Sequence, residues 1–184
     1  MPLFYNEKLM GQPLRVVGTD LAGRPLTIVV YWKQRTGIDS LQNGHAALII
    51  DSTQINMRTT DYYVSWMGTG AGMKSRADAS TFEEDAQNWG GSPVGNLGYQ
   101  VPNRWVALKG LNIADMKTAW DAMRTKQAAH WKLFDKNCAT AVARILKAGG
   151  GDNFATSSQK QLVWWPTDLI KYARSMGQNV FRTS

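Results

Sequence analysis

The order of apolar patterns is what most limits the folds open to this chain. Up to about residue 110 the apolar residues come in short runs rich in Val, Ile, Tyr and Trp; beyond it they recur at helical spacing behind capping residues. Leu14-Arg-Val-Val-Gly18 and Pro25-Leu-Thr-Ile-Val-Val-Tyr-Trp32 are expected to form a hairpin around Leu21-Ala-Gly-Arg24. Gly44-His-Ala-Ala-Leu-Ile-Ile50 has the composition of a buried strand, with Thr60-Asp-Tyr-Tyr-Val-Ser-Trp66 as its hairpin partner, and Tyr99 to Lys109 resumes as a strand. Three helices follow. Asn112 caps one running to about Gln127, with Asp115 in its first turn against the helix dipole. Asn137 caps Cys138 to Ala148, which Gly149-Gly-Gly151 stops, and Pro166 opens a third that ends before Gly177. Strands first and helices after, joined by hairpins, predict an α+β fold with an antiparallel sheet packed against the cysteine-bearing helix.

Length sets the organisation around that frame. A chain of 184 residues fits one domain, 1–184, with a normal core. Residues 67–98, with seven Gly and little periodicity, are expected to form a long loop with one helical turn near Thr81 to Asn88. A loop of that length suits a lid over a cleft.

Charge and cysteine usage then narrow the chemistry. The formal charge of +7 favours anionic partners, but the basic residues are scattered, which argues against nucleic acid. One cysteine excludes an internal disulfide and a multi-cysteine metal site. The first ten residues lack a basic-then-apolar leader pattern, and no run approaches the roughly 18 apolar residues of a membrane span. The expectation is synthesis in the cytoplasm without a signal peptide, and no stable membrane insertion.

The sole cysteine is the first candidate for function. With Asn137 as cap, Cys138 falls in the first helical turn, where the helix dipole and free N–H groups lower a thiol pKa and favour the thiolate. The same N–H groups suit an oxyanion, with Asn137 as a further donor. The plain alternative is a buried small hydrophobe heading the stripe Cys138, Val142, Ile145, Leu146. His45 shifts the balance, because a polar ring opening an apolar strand is poor core filler. The second of the two histidines, His130, is expected near the end of the first long helix in a structural or solvent-facing role.

A cysteine at a helix N-terminus facing a histidine at the start of an antiparallel strand resembles the papain-like hydrolases. The segments Gly44 to Ile50, Tyr63-Val-Ser-Trp66, Asn137-Cys-Ala-Thr140 with Gly149-Gly150, and Trp165-Pro-Thr-Asp-Leu-Ile-Lys-Tyr-Ala173 are similar to the circularly permuted NlpC-type superfamily, in which the histidine strand precedes the cysteine helix. The lecithin retinol acyltransferase-like proteins share that order, and the nearest likeness is to toxin domains of bacterial type VI secretion effectors. The resemblance covers about residues 26–66 and 100–175. It implies a permuted papain-like fold and a thiol hydrolase, a peptidase or amidase, with Cys138 as nucleophile and His45 as base. It also implies a third, polar residue that orients the imidazole from the next strand. A hairpin turn centred near Ile55 puts Ser65 opposite His45; Asp61 and Tyr63 are the alternatives.

The substrate that follows is peptidoglycan, with a protein or lipid of the target cell as the rival. Deamidase, isopeptidase and acyltransferase activity, and a catalytically silent binding module, are the rival functions. A secretion-system partner and an immunity protein are expected, and neither a metal nor an organic cofactor. Elsewhere Asp51 is expected to form a turn, Glu83-Glu-Asp85 a solvated face, and Trp164-Trp165-Pro166 packing under the third helix. Gly68-Thr-Gly-Ala-Gly72 lacks the Lys-Ser/Thr of a phosphate-binding loop.

Overall fold

The computed structural model describes residues 6–7, 26–33, 44–52, 62–69, 74–79, 81–89, 92–93, 100–102, 104–125, 130–132, 136–155 and 163–181. Among these the fold is α+β and its sheets are antiparallel. The central sheet is built from β1 (Asn6–Glu7), β2 (Leu26–Lys33), β3 (Gly44–Ser52), β4 (Tyr63–Val64) and β9 (Arg104–Leu108), in the order β1-β9-β2-β3-β4. A second sheet pairs β5 (Trp66–Thr69), β6 (Lys74–Ala79) and β10 (His130–Lys132), and a small ribbon pairs β7 (Ser92–Pro93) with β8 (Gln100–Val101). The helices are α1 (Phe82–Asn88), α2 (Ile113–Arg124), α3 (Cys138–Ala148) and α4 (Pro166–Phe181).

The central strands are apolar almost without alternation because both faces of the sheet are covered. Val29, Tyr31, Ala46, Leu48 and Val106 pack with residues of α2, α3 and α4, including Met116, Val142, Ile145, Leu169 and Ala173. Ile28, Val30, Trp32, Ala47, Ile49 and Ala107 face the other way, against Phe82 and Ala86 of α1. The sheet is thus a middle layer, with the late helices on one side and the short helix α1 on the other.

Several expectations change at this level. The stretch expected as a long loop carries β5, β6 and β7, while the helical turn expected near Thr81 to Asn88 is α1. Residues 14–18 lie outside the described residues, and the two neighbours of β2 are β3 and β9, so the edge assigned to an N-terminal hairpin is taken by β9. His130 lies in a strand opposite Arg76 rather than on a helix. Asp51 continues β3 instead of turning it. Helix α4 runs through Gly177 to Phe181. Glycine weakens a helix interior by only about 1 kcal/mol, and the buried stripe Leu169, Ile170, Ala173 and Met176 anchors this one by packing.

The pairing of β3 with β4 decides where the site forms. Leu48 lies opposite Val64 and Ile49 opposite Tyr63, and the Ile50 N–H donates to the Tyr62 carbonyl at 3.0 Å. N–H groups alternate in direction along an antiparallel strand, so the Ala46 N–H also points toward the β4 side. At Ser65 the chain leaves the central sheet, and from Trp66 it pairs with β6 instead. The first residues of β3 therefore have an open edge, and the start of α3 fills it.

Candidate active site at the open edge of strand β3

Cys138 reaches this edge because Asn137 ends the preceding segment in extended geometry and caps α3. The Asn137 Oδ1 accepts from the Thr140 N–H at 2.8 Å, and its Nδ2 donates to the Trp164 carbonyl at 2.8 Å. Both ends of the amide are committed to the fold. The side chain of Asn137, the residue expected to add an oxyanion donor, is here a helix cap and a tie to the segment before α4.

His45 comes from β3, in register with Trp32, and Gly44 precedes it for a steric reason. A Cβ at position 44 would lie 2.5 Å from Tyr31 Cε2 and 2.8 Å from the Trp32 carbonyl. The imidazole is buried, with 1% of its surface exposed. Its Nε2 lies 2.8 Å from Ser65 Oγ and 3.0 Å from Asp85 Oδ2. With Nε2 so occupied, Nδ1 is the nitrogen left for Cys138, whose thiol lies close enough to the imidazole for the two to interact. The Trp89 ring stacks on the imidazole at 4.9 Å between centroids, inclined by 13°. Its Nε1 donates to Met67 Sδ at 3.3 Å, which holds the indole flat over the histidine.

Cys138, His45 and Ser65, the candidates from sequence, thus come together, and Asp85, expected in a solvated acidic run, joins them. Glu83 and Glu84 are exposed as expected, whereas Asp85 is fully buried. A signal for it exists. Thr81 and Glu84 form a capping box, with the Glu84 N–H donating to Thr81 Oγ1 at 3.2 Å and the Thr81 N–H to Glu84 Oε2 at 2.7 Å. That box fixes the phase of α1 and puts Phe82, Asp85, Ala86 and Trp89 on one face. Asp85 Oδ2 also accepts from the Tyr63 hydroxyl at 2.6 Å. Of the other orienters weighed, Tyr63 bonds to Asp85 rather than to His45, and Asp61 lies outside the described residues.

The electrostatics follow from this packing. Burial alone would lower the His45 pKa, but the charges of Asp85 and Cys138 and their hydrogen bonds outweigh it and lift the value from 6.5 to about 10. Burial would raise the Cys138 pKa. The His45 charge and hydrogen bond, with the backbone N–H groups of Ala46 and Ala139, hold it below the ordinary thiol value instead. Asp85 is likewise pulled below the usual carboxylate range against its burial, by the charge of His45 and by hydrogen bonds from His45, Tyr63 and Ser65. Together these shifts favour the charged pair, a Cys138 thiolate beside a His45 imidazolium, with the buried Asp85 carboxylate next to the ring. Among the described residues no group of His, Cys, Asp and Glu could hold a metal ion.

Comparison with known proteins places the chain in a family. The model of the IcsB middle domain matches residues 81–183, which include Asp85 and Cys138 and make up more than half of the chain. The chain belongs to the IcsB middle-domain family. His45, Tyr63 and Ser65 precede the matched range. The chain is also 36% identical over 73 residues, 39% of its length, to multifunctional-autoprocessing repeats-in-toxin proteins of Vibrio vulnificus and Vibrio cholerae. It spans 1% and 2% of the length of those two proteins. No solved structure matches it. The domain is thus related to bacterial toxins, and no helix among its described residues is long and apolar enough to cross a membrane.

Proposed function

We propose that this domain is a toxin or effector enzyme of permuted papain-like type that works through an acyl-thioester on Cys138. The observation that carries the proposal is the chain of contacts from Asp85 through His45 to a thiol at the first position of α3. The Cys138 thiolate attacks an amide carbonyl carbon, and N–H groups at the start of α3 stabilise the negative oxygen that forms. His45 Nδ1 then gives its proton to the departing amine as the C–N bond breaks and leaves the thioester. Water, losing a proton to the same nitrogen, attacks the thioester and releases the acid and the thiol. Asp85 and Ser65 hold Nε2 throughout, which fixes the ring and balances its charge.

A second reading, acyl transfer to an amine of a target-cell protein or lipid, is favoured by the burial of the site. Cys138 is 8% exposed, His45 1% and Asp85 0%. A thioester in such a dry place is guarded from hydrolysis. The wall-directed reading draws on the +7 charge, which would hold the enzyme on peptidoglycan stem carboxylates. Delivery by a dedicated secretion system and neutralisation by an immunity protein belong to the same proposal.

p-Nitrophenyl acetate tests the chemistry without a known substrate. Wild type should release a burst of p-nitrophenolate and carry an acetyl group on Cys138 after acid quench; Cys138→Ala and His45→Ala should do neither. Absence of both burst and adduct in wild type would reject the thioester mechanism. Expression in a bacterial host separates the targets. Lysis only when the domain is sent to the periplasm, with new amino termini in wall fragments, supports the wall, and toxicity confined to the cytoplasm supports a protein or lipid.

A further inference from the structure

Behind Asp85 lies a second row of hydrogen bonds. Tyr63 donates to Asp85 Oδ2 at 2.6 Å, and the Trp32 indole Nε1–H donates to the Tyr63 oxygen at 3.3 Å. Trp32 and Asp85 are fully buried and Tyr63 is nearly so. The two aromatic rings are wedged against Phe82 of α1, with centroids 5.3 Å and 5.7 Å from its ring. The row spans β2, β4 and α1 and ends on the group that faces His45.

The carboxylate is held unevenly. His45 Nε2 and the Tyr63 hydroxyl both meet Oδ2, with the Ser65 hydroxyl also against the carboxylate, whereas Oδ1 is buried without a hydrogen-bond partner among the described residues. An isolated carboxylate has no reason to prefer one oxygen over the other. Turning its plane would break the short bond from Tyr63 and the bond to His45 together. A neutral phenol can only donate here, because its own oxygen already accepts from Trp32 and the neighbouring charge is negative.

We propose that Tyr63 is a positioning residue of this site: its hydroxyl, held by the Trp32 indole, fixes the Asp85 carboxylate in the orientation that keeps Oδ2 on His45 Nε2. The inference rests on the thiol mechanism proposed above and adds a residue to it that touches neither Cys138 nor the imidazole through a hydrogen bond. Its consequence is that Tyr63 matters to Cys138 only through Asp85.

A double-mutant cycle on thiol reactivity reads that dependence. The rate of Cys138 alkylation by iodoacetamide at pH 7 is measured for wild type, Tyr63→Phe, Asp85→Asn and the double variant, with thermal unfolding as the folding control. Tyr63→Phe should slow labelling about tenfold, the low end of the effect of one lost hydrogen bond to a charged group. Asp85→Asn should slow it more, and adding Tyr63→Phe to Asp85→Asn should change nothing further. Wild-type labelling in Tyr63→Phe, or two slowings that multiply in the double variant, would overturn the role while leaving the Cys138–His45 pair intact. Wild-type labelling no faster than an ordinary thiol, and insensitive to His45→Ala, would overturn the thiol mechanism and this inference with it. Should Tyr63→Phe not fold, tyrosine labelled at Cζ gives the answer in the folded forms. The Tyr63 resonance should move in Asp85→Asn, and one that does not respond overturns the proposal.

Discussion

Asp85 meets His45 at 3.0 Å across forty residues of chain, and each arrives from a different layer of the fold. The histidine opens a central strand, and the aspartate lies on the inner face of α1, the helix that covers the side of the sheet opposite α3. Cys138 is on that opposite side. The three groups meet because the edge of β3 is open at its first residues, so a histidine on one face can touch a thiol placed beside the strand.

This geometry ranks two substitutions. Asp85 supplies a full charge to His45, while Ser65 supplies a neutral oxygen at 2.8 Å. Asp85→Asn should therefore cut turnover by about a hundredfold or more, whereas Ser65→Ala should cost less than about tenfold with little loss of stability. Steady-state rates with either substrate class check the order. The larger defect in Ser65→Ala would return the orienting part to the serine.

How far the site was legible depends on which residue is asked about. Cys138 and His45 each carry a local signature, a capped helix start and a ring opening an apolar strand. Ser65 followed from the parity of the hairpin. Centring its turn near Ile55 set Ser65 opposite His45, whereas Leu48 in fact faces Val64, a shift of two residues in the partner. A shift of two keeps every side chain on its face, so Ser65 still reaches the imidazole. Asp85 needed a different kind of reading. Its neighbours Glu83 and Glu84 are solvated, and only the phase set by Thr81 and Glu84 separates it from them. The place of β9 beside β2 was hidden because nothing local records a pairing between residues some 75 positions apart, such as Val30 and Trp105.

The pKa shifts define a pH window for reactivity. Cys138 is held below the ordinary thiol value and His45 is raised to about 10. Alkylation should therefore set in at a lower pH than for an ordinary thiol and decline as acid protonates the thiolate. Turnover, which also needs the imidazolium proton, should in addition decline as pH rises through about 10. In His45→Ala the labelling midpoint should move up toward, or beyond, the ordinary thiol pKa of about 9, because burial remains and the partner charge is gone. An unchanged midpoint would show that His45 does not set the thiol's charge.

The same shifts act on stability, with opposite signs at the two ends of the pH scale. The folded His45 pKa lies above its unfolded value, so its contribution is complete below about 6.5 and disappears as pH rises through about 10. Asp85 is depressed, so its contribution is present above its ordinary value of 3.8 and disappears as pH falls through the lower folded value. Urea midpoints should therefore form a plateau that falls at both ends. Asp85→Asn should remove the Asp85 share of the acid fall and move the alkaline fall to lower pH, since His45 loses the carboxylate that raises it. A fall at the same alkaline pH in that variant would mean that another group supports the imidazolium.

Asn137 separates a capping part from a chemical one. Its Oδ1 takes the Thr140 N–H and its Nδ2 reaches the Trp164 carbonyl, both in buried surroundings. Asn137→Ala leaves both partners unsatisfied and should cost about 2 kcal/mol or more of unfolding free energy. Asn137→Ser keeps an oxygen for the Thr140 N–H but cannot reach the Trp164 carbonyl, and should recover only part of that loss. The start of α3 carries Cys138, so a frayed cap also weakens the dipole and the N–H groups around the sulfur. Alkylation of the folded Asn137→Ala protein should slow accordingly. An oxyanion donor would behave differently: its removal would depress turnover about a hundredfold while stability and the labelling rate stayed put. Urea unfolding, labelling and turnover measured on the same three proteins distinguish the two, and the bonds to Thr140 and Trp164 predict that stability moves first.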